Sequence, residues 1–593
     1  MRQYNVLMLV AALVLPAAGT YARPTTFTTN LTQANEVPPT GSTATGSATI
    51  VLDPAANTLG VHATFSGLTS NTVMAHIHCC LPSLFTSGVN VGVATTVPAF
   101  PGFPLGVKSG TYDGVLDLTS ASSYNPAFVT LQGGTIAGAR AALIKGIQNG
   151  ETYFNIHTTN FPSGEIRGFL AASPTPAQIS LLKTIPIKGT AAKPTTQMFT
   201  FDISFVDNAN NGLYYLADRS NAAIDVVDTT GAFTGTPDTL FGQIGGPAVG
   251  FQGDTGNNNT SGPDGVAAFF PCIFAGDGNS RVVSFNGAVN FTVPVTSLNT
   301  GGAFRADEMA FDPKDRLLLA INNADDPPFG TLINVSPSCV LDRPKTIFFT
   351  KANGVDAQNG AEQPVWDPGT QRFYVSIPQI GPNAQNGGVI KINPIGGAIE
   401  AVYPINFVTP AGLTLNPNTG DLLVGSNVVF DASGNACKNV VPGSVASPVG
   451  VPATCTGIAA PQEAICNPRP GRNCTGNALV AVPGVGGGDE VWFNSGDGNY
   501  YVTAANDPVG PVFGVIASVL GAQTNVLTQL VPTLPPVPAV TTGANKHGAG
   551  TVHSIAASSK SNHVYVPLPA NTSYSDSSGN NCVQGCIAVF SAQ

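Results

Sequence analysis

One short pattern recurs along the chain from about residue 200 onward and limits what the chain can fold into. Each copy opens on an acidic or polar residue. A short β-rich run follows, then an Asp/Asn-Pro type of turn, then a second β-rich run. The clearest copies are Glu308–Pro313 with Leu317–Ala320, Gln363–Pro368 with Phe373–Ser376, Gly412–Pro417 with Leu422–Gly425, and Glu490–Ser495 with Tyr500–Thr503. Weaker copies open at Asp202, Asp264 and His553. Their spacing is irregular but falls mostly in the range of propeller blades. A small antiparallel sheet cannot bury both faces alone, and radial stacking buries them while leaving only short edges.

The pattern therefore predicts a β-propeller over residues 179–593, with seven blades as the reading and six as the alternative. The run Ile179 to Ile187 precedes the first copy, and Cys586 to Phe590 ends the last one. Pairing the early run into the last blade would close the ring and remove an exposed edge. Phe430 to Pro483 is rich in Pro and Gly and holds four of the ten cysteines, so it is expected to be a disulfide-pinned insertion at about 430–483 in the fifth blade. Ala217 to Asp228 and Ala275 to Val283 resemble the second-to-third strand segment of NHL or YVTN-type propellers.

The first quarter of the chain is written differently. Ala48, Ile50 and Leu52 alternate with polar residues, as do Leu59, Val61, Ala63 and Phe65, which is the period of half-buried strands. Four further words punctuate it: Ala34–Pro39, Phe65–Ser70, His76–His78 and Asn155–Gly168. In this order they resemble the CHRD (chordin-type) domain over residues 25–172. The resemblance implies an antiparallel β-sandwich. It carries over no growth-factor binding, because no residue here is tied to that activity. The Pro/Phe-rich stretch Val97 to Pro104 makes the loop after His78 long and apolar. Ala171 to Pro176 reads as a linker, placed at 173–178. The whole chain is thus read as all-β, a sandwich followed by a propeller. Only 10% of residues are charged, and the 67 Gly and 48 Pro suit short strands joined by turns.

Residues 1–22 read as a signal peptide, with Arg2 ahead of the apolar run Val6 to Ala18. The expected location is secreted, periplasmic or at the cell surface. No later stretch reaches ~18 uninterrupted apolar residues, so no membrane span is expected. The formal net charge of −10 and the lack of a Lys/Arg cluster argue against nucleic acid as a partner. The partner classes left are an extracellular protein, a glycan or a small molecule. Ten cysteines in an exported chain point to disulfides, with Cys437–Cys455, Cys466–Cys474 and Cys582–Cys586 as short-range candidates. Cys79 and Cys80 are adjacent, which leaves a vicinal bond, other partners or free thiols open.

Two constellations can carry chemistry. Residues two apart on a strand share a face, so His76 and His78 sit side by side, and His157 lies on a second strand facing away from Phe154 and Ile156. Three imidazoles there can hold Zn²⁺ or Cu²⁺. The alternative is that they hydrogen-bond loop backbone. The spacing resembles the strand His-x-His of copper–zinc superoxide dismutases, but the further histidines of that bimetal centre are missing, which excludes the activity. The second constellation is the column of repeat-opening residues: Asp202, Asp264, Glu308, Gln363, Gly412, Glu490 and His553. Inner strands of a propeller line its channel, so these side chains are expected to converge at the mouth and can bind Ca²⁺. In the related sugar-lactone hydrolase propellers, such an ion polarises a substrate carbonyl. The alternative is a solvated channel. Trp366 and Trp492 hold matching repeat positions, which favours packing between blades over ligand stacking. The leading functional reading is a non-catalytic extracellular binding protein. A metal-dependent lactone or ester hydrolase on the propeller and metal binding by the CHRD histidines are the alternatives.

Overall fold

The computed structural model describes residues 25–592 apart from 55–56, 83–87, 173–178, 191–195, 418, 432, 437–462, 467–479, 483–484, 486–487, 506, 508–510, 518–525 and 542–546. The expected signal peptide and linker, and the pairings of Cys437, Cys455, Cys466 and Cys474, lie outside the described residues. The chain divides into two compact units, Met1–Ser173 and Pro174–Gln593.

The first unit is one curled antiparallel sheet over a single core. Its strands are β1 (Thr25–Thr32), β2 (Thr45–Asp53), β3 (Thr58–Ser66), β4 (Thr72–Cys79), β5 (Gly110–Asp117), β6 (Thr152–Thr158), β7 (Ile166–Phe169) and β8 (Ala171–Ala172). They run in the order β4-β6-β7-β1-β2-β3-β5, and β8 also pairs with β1. Ile50, Leu52, Leu59, Val61 and Phe65 enter the core as their alternation predicts. The apolar loop after β4 folds back onto the same core, where Phe103 stacks on Phe65 and Phe100 on Phe154.

An all-strand reading misses two helices here, α1 (Pro126–Leu131) and α2 (Ile136–Gln148). Thr135 caps α2 by accepting a hydrogen bond from Gly138 N at 3.1 Å. Ala139, Leu143, Gly146 and Ile147 form its buried stripe, a 3.6-residue period blurred by Ile136, Ala137, Ala141, Ala142 and Ile144 on the other faces. Gly146 is required by close approach, because a Cβ there would stand 2.5 Å from Cys79 Sγ and 2.9 Å from Cys80 Sγ. Cys79 and Cys80 are bonded to each other.

The second unit is a seven-bladed propeller, each blade a four-stranded antiparallel sheet. The innermost strands are Ser204–Val206, Val266–Phe269, Met309–Asp312, Pro364–Asp367, Val408–Leu415, Val491–Asn494 and Ala556–Ala557. Each packs on the next and the last packs on the first, so the ring is complete. Closure is the one the sequence predicts: β9 (Ile179–Pro186) is the outer strand of the blade that ends at Cys586–Ala592, in register Ile587↔Ile185.

The Asp/Asn of each repeat turns the hairpin. Asp312 accepts from Lys314 N at 2.8 Å, Asp367 from Gly369 N at 2.8 Å, and Asn494 from Gly496 N at 3.1 Å. A left-handed residue completes the turn, which suits Gly at Gly498 (φ 77°). The segment 430–483 is not wholly an insertion. It supplies the outer strands of blade five, Glu463–Cys466 and Val480–Val482, which pair in order outside Leu422–Val429. Cys582–Cys586 is bonded as expected. A second bond, Cys272–Cys339, joins blades two and three across 67 residues, a distance in sequence that hides it from any short-range pairing argument. Trp366 lies against Phe373, its cross-strand partner within the same blade, whereas Trp492 of blade six lies against Phe205 of blade one.

Candidate functional site

Part of the column of repeat-opening residues comes together at the mouth of the propeller channel, around a cavity of about 290 Å³. Asp202, Glu308, Glu490 and His553 line it. Asp264 and Gln363 sit behind the lining. Asp264 is fully buried and holds Arg219, whose Nε donates to Asp264 Oδ1 at 2.6 Å. Gln363 donates to Glu490 Oε2 at 3.4 Å and accepts from Leu413 N at 2.6 Å. Gly412 brings no side chain.

Five charged lining residues escape the repeat column: Arg219, Arg305, Asp307, Glu362 and Asp489. The signal for three of them is in the sequence. The repeats open on doublets, Asp307-Glu308, Glu362-Gln363 and Asp489-Glu490, of which the column uses only the second member. The arginines have no repeat signature.

Arg219 is buried and its guanidinium spans Asp202 and Asp264, with Nη1 donating to Asn258 Oδ1 at 2.6 Å. Arg305 donates from Nε to Asp307 Oδ2 at 2.8 Å and from Nη1 to the Asn258 carbonyl at 2.9 Å. His553 is within 3.2 Å of Asp202 Oδ1 through Nε2 and lies parallel to Phe201. Burial alone would raise the Asp202 carboxyl, but Arg219, the His553 bond and Arg305 outweigh it and hold the pKa below the usual range. Burial likewise opposes a charged His553, and Asp202 and Asp489 more than offset it. The other side of the mouth behaves oppositely. Burial raises Glu308 well above the usual carboxylate range, and the charges of Glu490, Glu362 and Asp307 add to the rise. Glu490 is raised by burial and then by Asp489, and Glu362 is pushed up to about 8 by burial, then by Asp489 and Asp307. Asp307 Oδ1, Glu308 Oε2 and Asn323 Oδ1 are buried at this cavity without a hydrogen-bond partner.

The arrangement differs from a calcium shell. A guanidinium, not an open space, lies between Asp202 and Asp264. Among the described residues, the group that brings three metal-ligating side chains onto one point is His76, His78 and His157 of the first unit, with one ring nitrogen from each lying within 4.8 Å of the others.

That triad is positioned by β4 and β6, which pair as Met74↔His157, His76↔Asn155 and His78↔Tyr153. Ala75, Ile77, Phe154 and Ile156 point into the core, so the three histidines share the opposite face. All three are buried. His78 Nδ1 lies 2.8 Å from the Val91 carbonyl and His157 Nδ1 lies 3.0 Å from the Pro162 carbonyl. Burial lowers the pKa of His76 to about 3, helped by His157 and His78 and opposed by the nearby Pro98 carbonyl. Burial also lowers His78 and His157 to about 4 each. All three imidazoles are neutral at neutral pH.

The punctuating words of the first unit meet around this face. Glu165 accepts from Thr69 N at 2.7 Å, Ser42 Oγ at 2.7 Å and Thr158 Oγ1 at 2.6 Å. Arg167 donates to the Asn35 carbonyl and, from Nη1, to Asn90 Oδ1 at 2.8 Å. Words far apart in sequence are thus stitched by buried polar contacts. Residues 27–170 match the family model of the CHRD domain. The CHRD motifs therefore act as structural ties around the histidine face. No curated protein matches the chain.

Solved propellers resemble the chain at low identity. They include the Neurospora crassa Pan2 WD40 domain (10% identity, TM-score 0.42, 70% of this chain and 96% of that one) and U3-55K (11% identity, TM-score 0.38, 70% and 99%). The β-propeller domain of Myceliophteria thermophila Cps50 (Swd1) is similar too (8% identity, TM-score 0.42, 70% and 100%). The blade count itself rests on this chain's own strand order.

Proposed function

We propose that this is a non-catalytic binding protein acting outside the cytoplasm, and that the propeller mouth receives a cationic group from a small molecule or a partner's side chain. The observation that carries this reading is the cavity of about 290 Å³ whose buried lining includes the unpartnered oxygens Asp307 Oδ1 and Glu308 Oε2. Acids outnumber cations there, and both arginines already have partners in Asp202, Asp264 and Asp307. A buried polar atom without a partner is costly, and an ammonium or guanidinium donor satisfies several at once. The export on which the location depends rests on the character of residues 1–22.

Because burial holds Glu362 up at about 8, an entering cation must displace protons from the acid cluster. Affinity should therefore rise between pH 6 and pH 9, with proton release on binding. Calorimetry with arginine methyl ester and with an uncharged analogue, in buffers of different ionisation enthalpy, measures both. Saturable binding of the ester that strengthens with pH and is lost in Glu362→Gln supports the reading. Binding of neither probe, or preference for an anion such as glutarate, overturns it. The hydrolase reading is the weaker one, since two of its candidate ligands, Asp202 and Asp264, are engaged by Arg219.

A further inference from the structure

We propose that His76, His78 and His157 form a transition-metal site of the CHRD domain, suited to Zn²⁺ or copper. Three independent features of the structure converge on it.

The first is placement. Tetrahedral Zn²⁺ takes imidazole nitrogens at about 2.0–2.1 Å, which sets ligand nitrogens roughly 3.4 Å apart. In this domain one nitrogen from each ring already lies within 4.8 Å of the other two. Small χ rotations close that gap, and the ring centroids at 5.0–5.6 Å leave room for an ion between them.

The second is orientation. The Val91 and Pro162 carbonyls can only accept, so Nδ1 of His78 and of His157 must carry the proton. Their Nε2 lone pairs are then presented unprotonated. A ligating histidine is usually held through its other nitrogen in this way.

The third is what remains open. His78 Nε2 and His157 Nε2 are buried without a hydrogen-bond partner, and neither ring nitrogen of His76 makes a well-formed hydrogen bond, the Pro98 carbonyl lying near it without meeting that geometry. A simple packing role would leave these acceptors unsatisfied side by side, which buried polar groups avoid. A single ion satisfies one on each ring. The backbone-bonding alternative for these histidines is therefore realised at Nδ1 of His78 and His157 and is compatible with metal at Nε2.

Charge and ligand chemistry narrow the metal. The donor set is three neutral nitrogens, which suits zinc and copper and disfavours Ca²⁺ or Mg²⁺. Arg167 is the nearby cation, and it is turned over the Tyr153 ring at 4.4 Å and onto Asn90. Cys79, the next residue on β4, is bonded to Cys80 and supplies no thiolate. Among the described residues the donor set is thus histidine alone, with at least one coordination position left for water or another ligand.

The test uses the full chain under non-reducing conditions, stripped with a chelator and dialysed. Zn²⁺ and Cu²⁺ are titrated against a chromogenic competitor, and Co²⁺ is added as an optical probe. The expected result is one equivalent per chain, visible d–d bands for Co²⁺, and nitrogen hyperfine structure for Cu²⁺. His76→Ala and His157→Ala should each weaken binding by about 100-fold or more. The metal-free melting temperature of each variant serves as the folding control. His62→Ala is the surface control, because His62 is exposed and pairs with Asp113 at 2.7 Å on another strand. Undiminished binding in the triad variants, loss of binding in His62→Ala, or sub-stoichiometric uptake of all three metals would each overturn the assignment. Should the alanine variants unfold, His76→Gln and His157→Gln replace them, and the same outcomes decide.

Discussion

Arg219 is the side chain on which the acidic mouth of the propeller depends most, and removing it gives a measurable consequence. Its guanidinium is buried and is shared by Asp202 and the fully buried Asp264. In Arg219→Ala both carboxylates lose that partner. Breaking a buried pair by deleting one partner costs about 3–5 kcal/mol, because an uncompensated charge is left behind. Here His553 and Arg305 still act on Asp202, so the lower half of the range applies, about 3–4 kcal/mol. For a unit spanning Pro174–Gln593, an unfolding entropy of roughly 0.9 kcal/mol/K converts this into a drop of about 4 °C.

The sign with pH is fixed as well. Asp202 is now held below its ordinary value, so its favourable contribution is present above the unfolded pKa and is lost only as pH falls through the folded one. Without Arg219, burial raises Asp202 and raises Asp264 further. The folded state then binds more protons than the unfolded chain, and stability falls as pH rises through that window. The gap between wild type and Arg219→Ala should therefore be wider at pH 8 than at pH 5. Calorimetric or chemical unfolding at the two pH values reads it. The triple variant Arg219→Met with Asp202→Asn and Asp264→Asn should be milder than Arg219→Ala alone, since the stranded charges are gone. A loss under about 1 kcal/mol that does not change with pH would refute the reasoning, by showing that water screens these acids in the folded state.

Two further outcomes follow from the same propeller. Glu308 and Glu490 are both raised well above the usual carboxylate range by burial and by neighbouring acids, so they oppose folding increasingly as pH rises above about 5. Glu308→Gln should flatten the pH–stability profile and add about 1 kcal/mol at pH 8, and a destabilised variant at that pH would contradict this. Removing the Cys272–Cys339 bond by a double Ser substitution opens a loop of 67 residues, which costs roughly 4 kcal/mol by the chain-entropy estimate. A melting temperature unchanged by that substitution would mean that the blade contacts alone fix this junction.

The sequence made the architecture legible for a physical reason that also bounds it. Blade strands are short and repeat at each turn, so Asp312, Asp367 and Asn494 mark their hairpins whatever the blade packs against. Likewise the two-residue period of β4 and β6 by itself places His76, His78 and His157 on one face. What stayed hidden is whatever depends on contacts between distant segments. Val91 and Pro162 orient His78 and His157 through their carbonyls, which leave no side-chain signature. Arg219 and Arg305 stand outside the repeat. The helix α2 carries Ala and Ile on several faces, so its buried stripe does not stand out in the sequence.

The column at the channel mouth shows how such hidden contacts turn an irregular alignment into a consistent site. Blades three, four and six open on doublets, and the first member of each, Asp307, Glu362 and Asp489, lines the cavity. Blades one and two open on single acids, Asp202 and Asp264, and Arg219 ties these two together. Blade five breaks the column with Gly412, which looks like a missing ligand. Its cause is steric: a Cβ there would stand 2.5 Å from the Asp489 carbonyl oxygen and 3.1 Å from Val491 N. The neighbouring blade's acidic doublet therefore runs where a side chain on residue 412 would have to be. Glycine at this position lets Asp489 and Glu490 reach the mouth, so the gap in the repeat is a condition for the acid cluster and not an absence from it.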